Sequence, residues 1–260
     1  MSASGVREGA GYRGRVTLSE PTRTLSFSVT FNFRDCGGYV GLDGRAVRWR
    51  RLFRSDSLHR LGEDDREAFA ALGIRTVVDL RRPREVKRDG RVPASPALRY
   101  HHIHPQHAEW EADGIDRIGV ERWLADRYVD LVTTGHAGLA KALGVIADED
   151  AAPVVVHCVA GKDRTGVVVA LALALLGVED RDIAEDYALT TAASERFTRW
   201  LRQSSPDYAD LPVQFISSPA EAMLIFLADV RNRYGSVERY VLDAGLKADQ
   251  IAAMRSHLLD

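Results

Sequence analysis

The sequence contains one stretch in which a nucleophile and a cation stand at a spacing suited to binding a phosphoryl group. In His157-Cys-Val-Ala-Gly-Lys-Asp-Arg-Thr-Gly166, five residues separate Cys158 from Arg164. A loop of that length can curl so that its backbone N–H groups converge on a tetrahedral anion. The planar guanidinium of Arg164 can take two phosphate oxygens at once, which a lysine could not do. The stretch therefore predicts an anion cradle with a nucleophilic thiol at its floor.

The other loop residues are suited to supporting that chemistry. Gly161 permits the backbone angles and the close approach that a tight curl requires. A helix N-terminus and neighbouring cations favour the thiolate form of Cys158. The Thr165 hydroxyl can donate a hydrogen bond to the sulfur. The predicted phosphate-binding set is Thr165 together with the backbone N–H groups of Val159, Ala160, Gly161, Lys162 and Arg164.

The segments on either side of the loop predict a buried strand and a buried helix. The run Val154-Val-Val156 is β-branched without polar alternation, which is typical of a strand covered on both faces. The apolar run from Val167 to Leu176 is too long for a usual strand, and Gly177 is a natural stop for a helix. Cys158 is then expected where the strand ends and the helix begins, among N–H groups that the helix leaves unpaired.

A second buried strand, expected over Thr76–Leu80, carries Asp79 near its C-terminal end. In parallel α/β sheets, ligands bind at that end of the strands. Two interpretations stay open. Asp79 is either an active-site carboxylate that binds substrate, or a cap that fixes the neighbouring loops.

Strands alternate with helices along the chain, and a run of helices follows. This pattern predicts the fold class α/β, as a three-layer sandwich with a central, mostly parallel sheet flanked by helices and a helical C-terminal part. Alternating apolar residues predict a half-buried strand over Leu25–Phe31, and a further strand is expected over Val47–Phe53. Helices are expected over residues 180–188 and 191–201, and another begins at an N-cap Ser218.

The composition along the chain predicts a leader and one domain, with a candidate lid or insertion inside that domain. Residues 1–24 are rich in Gly, Ser, Arg and Thr and are expected to form a flexible leader. Residues 25–260 are expected to form a single domain, since no linker forces a division. Residues 203–217, with two prolines, are the candidate for a lid or insertion.

The overall composition is that of an ordinary globular protein. The chain has 260 residues, 45% of them hydrophobic, and a formal net charge of −2. That charge argues against a general nucleic-acid binder, and no apolar stretch is long enough to span a bilayer or resembles a signal core. Two cysteines do not make a disulfide framework. We expect a cytoplasmic protein with no nucleic-acid partner and no stable membrane insertion, while secretion without a cleavable signal stays open.

The loop and several other motifs resemble the cysteine-dependent protein tyrosine phosphatase superfamily. His-Cys-x-x-Gly-x-x-Arg-Thr-Gly is the signature of that superfamily. The full stretch 157–166 is similar to the bacterial branch related to the secreted mycobacterial tyrosine/lipid phosphatase and the Listeria lipid phosphatase. The resemblance covers roughly residues 30–260 and includes the motifs Asn32-Phe-Arg-Asp35, Leu52-Phe-Arg-Ser55, Leu72-Gly-Ile74 leading into Val78-Asp-Leu-Arg81, and Asp243-Ala-Gly245.

The resemblance implies a two-step hydrolysis of phosphomonoesters, in which Cys158 takes the phosphoryl group and water then releases phosphate. It implies no metal and no cofactor. In this branch an aspartate inside the loop serves as the general acid, which corresponds to Asp163, and Asp113 and Asp116 are rival candidates. Lys162 resembles a lysine linked to phosphoinositide or extra-phosphate binding. The implied substrates are phosphorylated proteins, on tyrosine or on serine and threonine, and phosphoinositides. The alternative is an inactive phosphate- or phosphoinositide-binding module.

Three further features each have an ordinary interpretation and a functional one. His101, His102 and His104 are solvated or substrate-edge histidines, or two of them contribute to a metal site that still needs a third ligand. Cys36 is a small buried apolar residue, or it forms a reversible redox pair with Cys158. The adjacent Arg34 and Asp35 are expected to form a structural ion pair that holds a turn, with a direct catalytic role as the alternative.

Overall fold

The computed structural model describes residues 22–111, 114–204 and 212–260, and its centre is a five-stranded sheet. The strands are β1 (Arg34–Asp35), β2 (Leu52–Ser55), β3 (Thr76–Asp79), β4 (Arg99–His102) and β5 (Val154–His157). Their order across the sheet is β1-β2-β5-β3-β4, and every neighbouring pair is parallel except β1 with β2. The predicted α/β class with a mostly parallel sheet is therefore confirmed.

Helices surround this sheet and make up the C-terminal part, as expected. In the described ranges they are α1 (Glu63–Ala71), α2 (Pro83–Asp89), α3 (Ile115–Thr134), α4 (His136–Ala147), α5 (Asp163–Leu175), α6 (Asp180–Ser204), α7 (Val213–Ile216), α8 (Ala220–Tyr234), α9 (Val237–Asp243) and α10 (Ala248–Leu258).

The valine run forms the middle strand, β5, which is buried on both faces. Val154 and Val156 belong to the larger hydrophobic core together with residues of α3, α4, α5 and α8. Val155 points to the other face and packs in a smaller core with Phe33 and Phe53. Covering on both faces explains why the strand carries no polar alternation.

The register of the sheet brings three strand ends together. His157 pairs with Ser55 of β2 on one side and with Asp79 of β3 on the other. The loop that follows β5 therefore emerges between the loops that follow β2 and β3. This carboxyl edge of a parallel sheet is where ligands bind in such folds.

The predicted strand over Leu25–Phe31 is wrong. The segment is extended and alternates in burial, but beyond Leu25, whose N–H donates to the Phe33 carbonyl at 3.1 Å, the N–H groups of Ser28 and Phe31 bond to carboxylates and not to a neighbouring strand. Ser28 N–H donates to Asp65 at 2.9 Å, and Phe31 N–H donates to Asp56 at 3.1 Å. The alternation therefore reflects packing against the smaller core and carries no information about strand pairing.

Three predicted boundaries also differ from the structure. The helices expected over 180–188 and 191–201 are one continuous helix, α6, because the threonines between them do not break it. Ser218 does not cap α8, which begins at Ala220, since the Ser218 hydroxyl instead bonds to Thr191 Oγ1 at 2.8 Å. β2 begins at Leu52, whereas a start at Val47 was expected.

The proposed leader and lid lie partly outside the described residues. Residues 1–21 of the leader and 205–211 of the lid are not described. Arg23 contacts the folded chain, because its guanidinium donates to the carbonyl of Gly37 at 2.6 Å and lies 3.9 Å from the centre of the Tyr39 ring. None of the helices within the described ranges is long and apolar enough to cross a membrane.

Candidate active site

The loop after β5 turns its carbonyl groups outward, where neighbouring residues hold them. The carbonyl of Val159 accepts from Ser57 N–H at 2.9 Å, and that of Ala160 accepts from the Asn32 side chain at 2.9 Å. The carbonyl of Gly161 accepts from Arg54 at 2.8 Å. Because the N–H of a trans peptide points opposite to its C=O, the following N–H groups turn into the loop, toward Cys158. An inward-facing row of N–H groups is suited to binding an anion.

Gly161 is the residue on which this curl depends. Its φ of +65° lies in the left-handed region, which side chains rarely adopt. A Cβ at this position would lie 2.4 Å from the carbonyl oxygen of Ser55. The loop can therefore pack against the end of β2 only with glycine here.

The guanidinium of Arg164 is already held in place beside the loop. It donates to the carbonyl of Leu80 at 3.1 Å and to the two carboxylate oxygens of Glu85 at 2.7 and 3.2 Å. Burial raises the pKa of Glu85, but the hydrogen bonds and charge of Arg164 outweigh burial and lower it overall. Glu85 therefore stays ionised as the partner of Arg164. Glu85 sits within a charged run of the sequence, so no local pattern distinguishes it as a site residue.

Asp79 lies at the end of β3 with its side chain completely buried. Its carboxylate accepts from the Arg81 guanidinium at 2.6 Å and from the Tyr100 hydroxyl at 2.9 Å. Burial raises its pKa, but His157 and the charge and hydrogen bonds of Arg81 outweigh burial and lower the pKa to about 2. These contacts are those of the cap interpretation, in which Asp79 fixes the loop after β3. A direct contact with substrate stays a prediction.

Asp163 is the first residue of α5, at the rim of the loop. Its Oδ1 accepts from the Tyr128 hydroxyl at 2.8 Å and lies 3.2 Å from Lys162 Nζ. The side chain is 24% exposed, so a substrate can reach it. Of its rivals, Asp116 is exposed in the first turn of α3, and Asp113 lies outside the described residues.

Lys162 does not point into the loop. Its ammonium group donates to the carbonyls of Gln214 at 2.7 Å and Ser217 at 3.1 Å, and its side chain is only 1% exposed. In this arrangement Lys162 links the loop to the segment 212–217. A role in binding an additional substrate phosphate stays a prediction that requires these bonds to open.

The expected hydrogen bond from Thr165 to Cys158 is not made in this structure. The Thr165 hydroxyl is buried and has no hydrogen-bond partner among the described residues. The ring of His157 lies 3.1 Å from the carbonyl of Cys158, and burial lowers the pKa of this histidine. His157 therefore orients the start of the loop.

A buried ion cluster supports the loop, and its centre, Asp186, was not among the predicted site residues. The Asp186 carboxylate binds Arg34 at 3.0 Å and Arg54 at 2.6 Å. Burial raises the pKa of Asp186, but the two arginines outweigh burial and lower it well below its usual range. Arg34 contacts Asn32, so the two side chains that hold loop carbonyls, those of Asn32 and Arg54, are both fixed by this cluster.

The predicted ion pair between Arg34 and Asp35 is wrong, because the two side chains have different partners. Arg34 binds Asp186, while Asp35 accepts hydrogen bonds from the backbone N–H groups of Gly37 and Arg50, each at 2.8 Å.

The sequence does contain one signal for Asp186. It is an acid on the buried face of an amphipathic helix, next to Tyr187, and a charge in such a position needs a partner.

The structure places the histidines and cysteines for which a functional role was predicted. No group of three potential metal ligands occurs among the described residues, and His102 instead lies 2.8 Å from the carbonyl of Arg81. Cys36 and Cys158 are both buried free thiols, and burial raises the pKa of Cys36. A redox pair between the two cysteines stays a prediction.

A cavity of about 230 Å³ lies beside the loop. Val159 and Ala160 form one side of it, and the rings of Phe31 and Phe197 form another. The guanidinium of Arg60, which also lines the cavity, lies 5.1 Å from the centre of the Phe197 ring. The approach to the loop from this side is therefore partly aromatic.

Comparison with known proteins shows the family to which the chain belongs. Residues 25–260 match the tyrosine phosphatase family. The chain is 29% identical to the triple specificity protein phosphatase PtpB of Mycobacterium tuberculosis, over 88% of this chain and 96% of that protein. It is 26% identical to a tyrosine-protein phosphatase of Nostoc commune, over 79% of this chain and 73% of that protein. The chain belongs to the tyrosine phosphatase family, and it is a phosphatase.

Proposed function

We propose that this phosphatase hydrolyses phosphomonoesters through a phosphocysteine intermediate on Cys158. In the first step the thiolate attacks phosphorus, the bond from phosphorus to the leaving oxygen breaks, and Asp163 gives that oxygen a proton. In the second step water attacks phosphorus and gives a proton to the Asp163 carboxylate. The S–P bond breaks, which restores the thiolate and releases inorganic phosphate.

The observation that carries this proposal is the outward orientation of three consecutive loop carbonyls. Ser57, Asn32 and Arg54 hold them, so the adjoining N–H groups face the space above Cys158. Such donors, fixed before the substrate arrives, stabilise the charge on equatorial phosphoryl oxygens in the transition state. The chain thus has a nucleophile, a cradle and a clamp, Arg164, within seven consecutive residues.

We propose phosphotyrosine as the principal substrate. The Nostoc relative is named a tyrosine-protein phosphatase, which supports an aryl leaving group for this chain as well. Phosphoserine, phosphothreonine and phosphoinositides are further candidate substrates. The name of the mycobacterial relative indicates more than one specificity for that protein. The buried ammonium of Lys162 does not favour a phosphoinositide in the present arrangement.

Hydrolysis of p-nitrophenyl phosphate by the wild type and by Cys158→Ser tests the reaction. We expect turnover in the wild type and none in the variant, with competitive binding of inorganic phosphate kept in both. A wild type that binds phosphate without turnover would instead support the alternative, a binding module. A panel of phosphotyrosine, phosphoserine and phosphoinositide substrates with Lys162→Ala then tests the substrate class. A loss confined to phosphoinositides would support a lipid role, and uniform effects would count against it. A wild type that hydrolyses phosphoserine or phosphoinositides faster than phosphotyrosine would overturn the preference for phosphotyrosine.

A further inference from the structure

The two oxygens of the Asp163 carboxylate have different surroundings. Oδ1 accepts a hydrogen bond from the Tyr128 hydroxyl at 2.8 Å and lies 3.2 Å from the ammonium of Lys162. Among the described residues, no donor contacts Oδ2. The protein therefore distinguishes the two oxygens, which are chemically equivalent in a free carboxylate.

Tyr128 is itself one member of a pair. Its hydroxyl oxygen lies 2.5 Å from that of Tyr187, and both rings are almost completely buried. Burial, together with the charge of Asp163, raises the pKa of each tyrosine far above its usual range, so both hydroxyls keep their protons. Because Tyr128 uses its only proton toward Asp163, Tyr187 must donate to Tyr128. The chain of donors runs in one direction, toward Oδ1, and such a chain strengthens its final bond.

These residues reach Asp163 from separate parts of the fold. Tyr128 lies on α3 and Tyr187 on α6, while Asp163 begins α5. Gly166 makes room for the pair, because a Cβ there would lie 3.1 Å from the Tyr187 ring. This packing indicates a site built around the carboxylate, since a loop residue that merely reached the surface would need none of these contacts.

We propose that Tyr128, supported by Tyr187, is a positioning residue that selects Oδ2 of Asp163 as the oxygen that delivers the proton. The inference rests on the proposed function, in which Asp163 is the general acid. As the Oδ2–H bond breaks and the leaving oxygen takes the proton, negative charge develops on the carboxylate. The Tyr128 hydroxyl and the Lys162 ammonium already face Oδ1 and stabilise that charge without reorganisation.

The test compares kcat/KM across aryl phosphates whose leaving groups differ in acidity. A poor leaving group needs its proton in the transition state and a good one does not. Loss of the acid therefore steepens the dependence of kcat/KM on the acidity of the leaving group. We expect Tyr128→Phe to lower kcat/KM about tenfold for phenyl phosphate and much less for p-nitrophenyl phosphate, a fraction of the 10²–10⁴ that a general acid contributes. Tyr187→Phe should give a smaller change in the same direction.

Tyr240→Phe is the matched control. It removes a buried hydroxyl that donates to the carbonyl of Val132 at 2.9 Å, far from the loop in the sequence and on a different helix, α9. This variant should keep the leaving-group dependence of the wild type. Competitive inhibition by inorganic phosphate, unchanged in all variants, confirms that each one keeps a folded cradle.

The outcomes separate this inference from the proposed function. If Asp163→Asn steepens the dependence while Tyr128→Phe and Tyr187→Phe match the wild type, Asp163 is the acid and the tyrosines have a structural role only, which overturns the inference. If Asp163→Asn matches the wild type, the assignment of the acid itself is wrong. If Tyr128→Phe misfolds and loses its affinity for phosphate, the leaving-group dependence of Tyr187→Phe decides between a positioning role and a purely structural role.

Discussion

The guanidinium of Arg164 and the carboxylate of Glu85 form a two-point ion pair, with N–O distances of 2.7 and 3.2 Å. Glu85 lies in the first turn of α2, where its Oε2 also accepts the backbone N–H of Arg82. The carboxylate is thus fixed to a helix end, and it orients the planar fork of Arg164 before any phosphate binds. An arginine held in this way loses less conformational entropy when the substrate arrives.

Glu85→Gln tests this orientation. The amide keeps one acceptor oxygen but cannot bind the guanidinium at two points, so Arg164 gains freedom. We expect kcat/KM for p-nitrophenyl phosphate to fall about tenfold, mainly through a higher KM, in line with the effect of a misplaced binding group. Glu67→Gln, an exposed position on α1, is the control. Equal KM values for Glu85→Gln and the wild type would contradict the role given to Glu85.

Local patterns were sufficient to predict the strand, loop and helix that carry the nucleophile. The valine run, the glycines at 161 and 177 and the apolar run after Gly166 each determine the conformation of their own segment. The resulting elements, β5 and α5, lie where the sequence predicts them. The loop between them could be described in chemical terms before any tertiary contact was known.

The groups that support the loop could not be predicted in this way, because they come from distant parts of the chain. Asp186 lies 152 residues from Arg34, and Glu85 lies 79 residues from Arg164. No local periodicity encodes such pairings. The same limit explains the error at Arg34 and Asp35, where sequence neighbours were expected to pair, although the sheet directs their side chains to different partners.

The buried cluster around Asp186 is expected to contribute strongly to stability. Asp186→Asn leaves Arg34 and Arg54 buried without an anionic partner, which should lower the free energy of unfolding by about 3–5 kcal/mol. Chemical denaturation at pH 7 measures this difference, with Asp182→Asn on the same helix as the control. A loss below about 1 kcal/mol, typical of exposed pairs, would contradict the role of the cluster.

The same cluster predicts a dependence on pH. Because the pKa of Asp186 is lower in the folded protein than in the unfolded chain, its contribution is fully present above the unfolded value, about pH 4. That contribution is lost as the pH falls further toward the folded pKa. The stability difference between the wild type and Asp186→Asn should therefore shrink below about pH 4. A difference that stays constant, or grows, as the pH falls would contradict this assignment.

Asn32 is expected to affect catalysis more than stability. Its side-chain amide holds the carbonyls of Ala160 at 2.9 Å and Gly161 at 3.2 Å, so Asn32→Ala should let the loop relax out of its cradle shape. We expect a fall in kcat/KM of about tenfold and weaker inhibition by inorganic phosphate. Asn232→Ala, exposed on α8, provides the comparison and should leave both quantities unchanged.

The choice of general acid is decided by three asparagine variants. Asp163→Asn should depress kcat/KM about 100-fold for poor leaving groups, whereas Asp113→Asn and Asp116→Asn should match the wild type. The reason is position, since Asp163 lies at the rim of the cradle and Asp116 is exposed in the first turn of α3. A selective loss in Asp113→Asn, with Asp163→Asn unaffected, would move the acid to that residue.

The central claim is that the phosphoryl group passes through Cys158, and trapping of the intermediate tests it most directly. The Asp163→Asn variant is mixed with p-nitrophenyl phosphate, and the reaction is quenched in alkaline denaturant during turnover. The protein is then digested, and the mass of the peptide that contains Cys158 is measured by mass spectrometry. A good leaving group departs without the acid, while attack by water is slowed, so the intermediate should accumulate. We expect one phosphoryl group on that peptide, and none in Cys158→Ser, which should also be inactive. Turnover with no phosphoryl group on the Cys158 peptide, or turnover retained in Cys158→Ser, would contradict the account.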